Sequence, residues 1–345
     1  MLAEIFAQQA DICRRLGSPF MGRLMDLFAK NWDQSSQVRD MLCAWIGQPD
    51  VTAGVLPLRI AGALHALALM KKDAGLCAVY PPNFVADTVL WRAVTDAFHA
   101  QGPFVSQWLE FAPQTNEIRR SAAIWAAAQM VHHRFKRPLA LYELGASAGL
   151  NLNFDRYRVV TERFSSTQND PILDLAPEWR GQHPTPTPIV VSHRSGVDLN
   201  ALDPTCPDDM LRLKAYTWPD QQDRLDRLDL AAPHQTTMVD QEDVATWLAR
   251  KLRETPKDSV PFVFSTVAWQ YFDAKTQEAC RHVLHDGARQ VGPVAQFMME
   301  TDGRSDSALL SLQIWPSGQM IELGRADYHG RWIDWSLTSD VLTSG

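Results

Sequence analysis

The stretch that decides the fold is LYELGASAGLNLNFDRY, residues 141–157, in which a short apolar run ends at a glycine-rich turn. Two patterns overlap in this turn. The hydrolase pattern G-x-S-x-G, a sharp strand-to-helix turn that lifts a nucleophilic serine above its sheet, is matched by residues 145–149. An acidic residue followed by two spaced glycines, Glu143-x-Gly145-x-x-x-Gly149, is instead typical of a nucleotide-binding loop after an apolar strand.

The composition is that of a folded soluble protein. The chain has 345 residues, of which 46% are hydrophobic and 21% charged, enough for one large domain or two ordinary ones. Its 40 acidic residues outnumber its 33 basic ones and give a net charge of −7, which argues against a long cationic surface for nucleic acid. We therefore expect a small-molecule substrate or a protein partner and no nucleic-acid partner.

We expect the chain to be cytoplasmic and not attached to a membrane. Charged residues interrupt the apolar residues of the first segment, so a signal peptide is not indicated, and no run of about 18 uncharged apolar residues predicts a membrane span. The cysteines are odd in number and lack a C-x-x-C motif, which is typical of reduced thiols. They are Cys13, Cys43, Cys77, Cys206 and Cys280.

The hydrophobic pattern divides the chain into two domains. Apolar residues recur at helical spacing up to about residue 137, in five or six predicted helices, and we assign residues 1–112 to a helical N-terminal domain. In residues 113–345, short apolar runs alternate with helical patterns, which favours a doubly wound, mostly parallel sheet. The predicted strands are 139–144, 189–191, 237–239, 261–265 and 294–299, and the predicted helices between the last three are 244–252 and 274–288.

Two further segments complete the predicted α/β domain. Residues 309–315 and 320–325 flank a turn that contains proline and glycine, which predicts an antiparallel C-terminal hairpin. Residues 158–190 are rich in proline and predict an irregular insertion. The fold class is therefore α/β and Rossmann-like, with a mostly parallel sheet and an N-terminal helical domain.

The hydrolase interpretation of the glycine-rich turn has one condition in its favour. Asp273 or Asp302, followed by His329, would complete the order of serine, acid and histidine that such enzymes require. A nucleophile turn also needs earlier strands and an earlier loop that supplies an oxyanion N–H, and the predicted helices upstream provide neither. Ser147 could equally be a small residue that caps the following helix.

The nucleotide-loop interpretation agrees with the position of the turn at the end of the first strand. Gly145 and Gly149 allow a tight turn and close approach of a ligand. The pattern departs from G-x-G-x-x-G, because Ser147 stands where the second glycine is expected, so a dinucleotide pyrophosphate is a poor match. Glu143 would repel a diphosphate and would suit a cationic ligand.

This combination resembles the first motif of class I S-adenosylmethionine-dependent methyltransferases. The resemblance implies a Rossmann-like methyltransferase fold with S-adenosylmethionine as the cofactor. It also implies that the acidic residue and the glycine-rich turn receive the methionyl and ribose parts of that cofactor. The matching residues are Glu143, Gly145, Ala146, Ser147 and Gly149.

The same resemblance extends to the ends of the following strands. It implies that Asp198, with Leu199 beside it, holds the ribose hydroxyls, and that Asp243 faces the adenine amino group. Thr266 matches the end of the fourth strand. Trp269, Gln270 and Tyr271 match the loop that floors the reaction site in small-molecule methyltransferases. Asp198 lies 53 residues after Gly145, a longer spacing than in a compact dinucleotide unit, and the proline-rich insertion accounts for the excess.

Taken whole, residues 55–335 resemble a bacterial family of uncharacterised proteins of this fold, a domain of unknown function. The resemblance is carried by the glycine-rich turn and by five further blocks. These are residues 115–121 (TNEIRRS), 198–204 (DLNALDP), 216–221 (YTWPDQ), 267–271 (VAWQY) and 326–332 (ADYHGRW).

Two of these blocks contain candidate substrate residues. Tyr328 and His329 lie near a glycine and an arginine, a combination suited to a substrate pocket, and a strand turn with a solvated His329 is an equal alternative. Asn116, Glu117 and Arg120 open a predicted helix, and Glu117 could serve only the helix dipole. No metal site is indicated, because the adjacent His132 and His133 point to different sides of a helix.

The sequence thus predicts an S-adenosylmethionine-dependent methyltransferase that acts on an unidentified small molecule. His329 or Tyr271 is the candidate base, and Asn116, Glu117, Arg120, Trp269, Gln270 and Tyr328 are the candidate substrate-binding residues. Two alternatives stay open: a serine hydrolase that uses Ser147, and a protein that binds a nucleotide-like ligand without catalysis.

Overall fold

The structure, a computed structural model, describes residues 1–46, 55–166, 170–304 and 306–336. The chain forms two compact units. The helical unit comprises Met1–Thr115 and Cys206–Leu228, and the sheet unit comprises Asn116–Thr205 and Asp229–Gly345. The helical unit therefore contains a second segment, residues 206–228, which the sequence analysis had included in the α/β domain.

Helices account for most of the helical unit and also flank the strands of the sheet unit. The α-helices of the described residues are α1 (Leu2–Arg15), α2 (Pro19–Asn31), α3 (Ser36–Cys43), α4 (Val55–Leu69), α5 (Ala74–Val79), α6 (Asp87–Ala100), α7 (Gly102–Leu109), α8 (Ser121–Phe135), α9 (Pro207–Ala215), α10 (Gln222–Ala231), α11 (Val244–Glu254) and α12 (Ala274–Val291).

The helical unit is built around α4, whose side chains from Leu56 to Leu67 are almost all buried. Helix α9 packs closely on it, because Gly62 leaves room for the ring of Tyr216. Eight α-helices, α1 to α8, precede residue 137 in the described residues, where five or six were predicted. The difference arises from short helices such as α5, which Asp73 caps by accepting the Leu76 N–H at 2.8 Å.

The strands of the described residues are β1 (Leu139–Leu144), β2 (Arg158–Val159), β3 (Asp174–Leu175), β4 (Glu178–Gly181), β5 (Val191–Asp198), β6 (Val239–Gln241), β7 (Val260–Thr266), β8 (Val294–Glu300), β9 (Ala308–Trp315), β10 (Gln319–Ala326) and β11 (Trp332–Trp335). Nine of them form one sheet in the order β4-β11-β10-β9-β8-β7-β1-β5-β6. The predicted α/β class with a large, mostly parallel sheet is confirmed.

The parallel part of the sheet has the order β6-β5-β1-β7-β8. After β1 the chain adds β5 and β6 on one side, and it then crosses to add β7 and β8 on the other. Adjacent strands β1 and β7 therefore lead to connections on opposite sides, which is the arrangement of a topological switch point. Strands β1 and β7 are buried along their whole length, as expected of central parallel strands.

The predicted C-terminal hairpin is confirmed by the antiparallel pairing of β9 with β10. The second parallel strand differs from its prediction: β5 begins at Val191, where the predicted strand ended. The apolar-run criterion missed it because Ser192, His193 and Arg194 form its first half. The third parallel strand, β6, likewise begins at Val239, the last residue predicted for it.

The insertion at about 158–190 is less irregular than predicted, although residues 167–169 lie outside the described residues. It contains the parallel pair β2 and β3 and also β4, which extends the main sheet by pairing with β11. Short, polar strands of this kind carry no periodic signal, so only the pairing partner reveals them.

Candidate functional site

The candidate site lies in the sheet unit, where β1 and β7 end side by side. In open α/β sheets, ligands bind beyond the carboxyl ends of the strands at the switch point. The residues that the structure brings together there come from five segments: 116–121, 143–151, 198–202, 265–269 and 327–330.

The glycine-rich turn after β1 has three residues with positive φ. They are Gly145 at +70°, Ser147 at +53° and Gly149 at +72°. Glycine adopts such angles readily, whereas Ser147 does so against the preference of its Cβ. A non-glycine residue in this conformation is commonly a sign of a functional turn.

Most of the amide N–H groups of the turn already have acceptors within the protein. The N–H groups of Gly145 and Ala146 both donate to the Val197 carbonyl, at 2.9 and 3.0 Å. The Ser147 N–H donates to Asp198 Oδ2, and the Gly149 N–H to the Ala146 carbonyl. A diphosphate would need several of these donors, so the turn is poorly suited to one, as the sequence indicated.

Asp198 ends β5 beside this turn. Its Oδ2 accepts the Ser147 N–H at 2.9 Å and its Oδ1 accepts the Asn200 N–H at 2.8 Å. The insertion between Gly145 and Asp198 therefore lengthens their spacing in sequence without separating the Asp198 carboxylate from the glycine-rich turn. A carboxylate oxygen can accept more than one hydrogen bond, so Asp198 suits a ligand that donates hydrogen bonds.

Glu143 lies in β1, just before the turn, and its side chain is only 1% exposed. Burial and the nearby charge of Asp198 raise the pKa of this carboxyl well above its ordinary value, while Asn151 and Arg120 act in the opposite direction. Among the described residues, Glu143 Oε2 and Ser147 Oγ have no hydrogen-bond partner. Two buried polar atoms, one near the end of β1 and one in the turn, thus remain available to a ligand.

Arg120 connects the segments around Glu143. This buried side chain donates from Nε to the Tyr328 carbonyl at 2.8 Å and from Nη1 to the Thr266 carbonyl at 2.9 Å. Its charge also limits the rise that burial causes in the pKa of both Glu143 and Glu300. One guanidinium therefore ties the end of β7 to the 327–330 turn and lies among carboxylates.

The loop after β7 forms the side of the site that faces the glycine-rich turn. Val267 has φ +55°, an unusual angle for a β-branched residue. A Cβ added to Gly145 would lie 2.4 Å from the Cβ of Ala268, so the two loops are in close contact. The small size of Gly145 is thus required by Ala268, a protein neighbour.

His329 lies in a tight turn that is organised by Asp327. Asp327 Oδ1 accepts the backbone N–H of His329 at 3.0 Å, and its carboxylate also pairs with the Arg331 guanidinium. Gly330, at φ +67°, packs directly on the backbone of Arg119 and Arg120. The turn is therefore fixed next to the segment that contains Glu117 and Arg120.

The structure gives different surroundings to the remaining predicted residues. Five of them are buried at the site: Asn116, Glu117, Ala146, Thr266 and Trp269. Asn116 accepts the Leu150 N–H through its Oδ1. Tyr328 is half-buried, and Leu199, Gln270 and Tyr271 are exposed. Asp243 lies at the end of β6, and its carboxylate caps α11 through bonds to the N–H and Oγ1 of Thr246.

Three residues of the site were not anticipated. Glu300 ends β8 and Asn151 follows the glycine-rich turn, while Val267 has the strained angle described above. Glu300 directly follows the apolar run 294–299, so its place at a strand end is a signal that the sequence does contain. The contacts of Asn151 and the angle of Val267 have no such signal.

The acids considered for a serine hydrolase have structural roles. Asp273 caps α12 by accepting the Thr276 N–H at 2.7 Å. Asp302 forms a bidentate ion pair with Arg325, which holds the pKa of its carboxyl well below the ordinary range. The order of serine, acid and histidine along the chain is therefore not matched by a connected set of these side chains.

The described residues contain neither a metal-binding cluster nor a membrane-spanning helix. No cluster of three or more histidine, cysteine, aspartate or glutamate side chains has an arrangement suitable for a metal ion there. Within the same residues, none of the helices combines the length and apolar character needed to cross a bilayer.

Comparison with known proteins identifies one family. The family model described as "Uncharacterized protein conserved in bacteria (DUF2332)" matches residues 3–335, which is nearly the whole chain. No curated protein and no solved structure matches the chain.

The contact between the two loops can be tested with Gly145→Ala. We expect it to destabilise the protein by more than Gly303→Ala, which has the same φ of +70° but nothing within 4 Å of its added methyl. Both variants should lose about 1–2 kcal/mol because of the angle, and overpacking should add about 1–3 kcal/mol at Gly145 alone. Urea unfolding measures both losses.

Ala268→Gly should remove most of that additional loss when it is combined with Gly145→Ala, because the second methyl is then absent. Equal losses for Gly145→Ala and Gly303→Ala would show that the loops do not approach as closely as described.

Proposed function

The chain belongs to this uncharacterised bacterial family, and we propose that its sheet unit binds S-adenosylmethionine and transfers the methyl group to a small molecule. The observation that carries the proposal is the buried carboxyl of Glu143, which has an oxygen open to a ligand beside a glycine-rich turn at a strand switch point. Because most of the turn's N–H groups have internal acceptors, this end of the sheet favours a cationic ligand over a diphosphate.

The residues at the turn suit the parts of this cofactor. Glu143 offers a negative charge to the methionyl ammonium and the sulfonium, Asp198 offers lone pairs to the ribose hydroxyls, and exposed Leu199 offers an apolar side chain to the adenine. Bound S-adenosylmethionine would supply a methyl group that is activated by the positive sulfur. The pairing of a cation with the buried carboxylate of Glu143 is favourable because few water molecules screen it.

Methyl transfer requires little covalent chemistry from the protein. The side chains need to align the nucleophile and to accept its proton, and orientation of this kind supplies much of the rate enhancement in such reactions. His329 is the better-placed candidate base, because Asp327 and Gly330 hold its turn against the Arg120 segment. Tyr271 is 69% exposed and suits contact with substrate more than proton transfer.

A protein that binds the same ligand without catalysis shares every feature above. Calorimetry with S-adenosylmethionine and S-adenosylhomocysteine is therefore the first experiment. The second measures the transfer of labelled methyl groups from S-adenosylmethionine to a panel of small molecules. Binding without methyl transfer to any substrate would favour the ligand-binding alternative. A lack of binding would contradict both the methyltransferase and the ligand-binding alternative.

The role of Asp198 is tested by replacing it with alanine. Charge-assisted hydrogen bonds are stronger than neutral ones, so Asp198→Ala should weaken the affinity for S-adenosylhomocysteine roughly ten- to hundredfold. Asp203→Ala is the matched control, because Asp203 is an acid of the same turn region whose carboxylate holds Thr205. A change below threefold for Asp198→Ala, or an equal change in the control, would contradict the assignment.

The role of Glu143 predicts a pH dependence. Because its pKa is raised, a fraction of the carboxyl is neutral on the alkaline side of the ordinary glutamate range, and it gains its charge as the pH rises further. Affinity for S-adenosylmethionine should therefore increase with pH. Glu143→Gln should bind more weakly and show a flatter pH profile, and calorimetry at several pH values measures both.

S-adenosylhomocysteine lacks the sulfonium charge, so Glu143→Gln should affect its affinity less than that of S-adenosylmethionine. Equal losses for the two ligands would place the sulfonium away from Glu143. A parent protein whose affinity is independent of pH would contradict the charge role altogether.

The serine hydrolase keeps one observation in its favour, the positive φ of Ser147 together with its buried Oγ, which has no hydrogen-bond partner among the described residues. We nevertheless expect Ser147→Ala to retain ligand binding within a few-fold, because one neutral hydrogen bond contributes only about 0.5 to 1.5 kcal/mol. Calorimetry measures this change.

Reaction with a fluorophosphonate distinguishes a true nucleophile. Stoichiometric labelling of the parent at Ser147, with cleavage of activated esters, and loss of both in Ser147→Ala would establish the hydrolase in place of the methyltransferase.

A further inference from the structure

Glu300 is a buried carboxylate at the end of β8 that the proposed reaction does not use. Its Oε1 accepts two backbone N–H groups, those of Ala268 and Trp269, each at 3.0 Å. Burial raises the pKa of this carboxyl, and the two N–H groups and the Arg120 charge limit the rise. Burying a carboxylate is costly unless hydrogen bonds and an opposite charge offset the loss of water, and the two N–H groups and Arg120 provide these.

The segment that Glu300 holds contains the strained residue Val267. The Val267 N–H donates to the Met299 carbonyl at 2.9 Å, in the residue just before Glu300. The three consecutive N–H groups of residues 267–269 are therefore all bonded to the end of β8. Since a β-branched residue with a left-handed angle persists only when its surroundings hold it, these bonds are the natural source of that restraint.

The same segment determines the width of the site. Ala268 is the residue that lies against Gly145, and Arg120 bonds to the carbonyl of Thr266 at the start of the loop. A shift of this loop would therefore change the separation between the loop and the glycine-rich turn. It would also disturb the guanidinium that lies near Glu143.

On the basis of the proposed function, we infer that Glu300 is a positioning residue, which fixes the 267–269 loop against the glycine-rich turn so that the turn can receive the cofactor. In this inference Glu300 acts through the Ala268 and Trp269 amides, which its Oε1 holds, and not through a contact of its own with the ligand.

Amide hydrogen exchange tests this role without any ligand. In Glu300→Ala the two N–H groups lose their acceptor, and their exchange, followed by NMR, should accelerate about tenfold or more. Glu300→Gln should keep their protection close to that of the parent, because the amide oxygen can accept the same two bonds. Glu322→Ala, which changes an exposed acid of β10, is the matched control and should leave both amides unchanged.

Should Glu300→Ala fail to fold, Glu300→Asp serves instead. Aspartate keeps the charge but is one methylene shorter, so its carboxylate lies farther from the two amides. Exchange at residues 268 and 269 should therefore still accelerate, while the Thr246 amide, which donates to Asp243, should keep its exchange rate. Unchanged exchange at residues 268 and 269 in a folded alanine or aspartate variant would overturn the inference.

Calorimetry with S-adenosylhomocysteine then relates the loop to binding. Glu300→Ala, or Glu300→Asp in its place, should weaken the affinity about tenfold or more, and Glu300→Gln should stay within about threefold of the parent. A variant with accelerated loop exchange and unchanged affinity would overturn the positioning role. If the parent protein does not bind S-adenosylhomocysteine, the proposed function fails, and with it the role of Glu300 in positioning a cofactor site. Whether Glu300 restrains the 267–269 loop is then decided by amide hydrogen exchange alone.

Discussion

The candidate site depends on one buried cation, the guanidinium of Arg120. Removing a charged group from water is costly, and the cost is offset only when hydrogen bonds and opposite charges surround it. Arg120 has both, because the Thr266 and Tyr328 carbonyls accept its N–H groups and Glu143 and Glu300 contribute negative charge. These partners come from β1, β7, β8 and the 327–330 turn, so one side chain restrains four segments that are far apart in sequence.

Strain is concentrated where these segments meet. Ser147 and Val267, both with positive φ, follow the two central strands on either side of the switch point. Hydrogen bonds from their backbone N–H groups hold them: Ser147 donates to the Asp198 carboxylate, and Val267 donates to the Met299 carbonyl. Because such angles are maintained only by their surroundings, their occurrence at adjacent strand ends supports a functional role for this end of the sheet.

Much of the fold was predictable because the central strands are mainly apolar. Strand β1 matches its predicted limits, and β7 and β8 extend by only a residue or two beyond the predicted runs. Strands β5 and β6 were displaced, since their residues are polar and partly exposed near the edge of the sheet. The second segment of the helical unit was missed for another reason, because local periodicity does not reveal which unit a helix packs in.

The sequence by itself determined the position of the glycine-rich turn, the alternation of strands and helices, and the acids at strand ends, because each is a local pattern of residue type and spacing. Only the tertiary structure decided which of those acids share a site. Asp198 reaches the turn across more than 50 residues, Asp243 is used to cap a helix, and Glu300 joins through two amides. Hydrogen-bond partners and burial depend on how distant segments pack, and packing is a property of the whole fold that no local pattern contains.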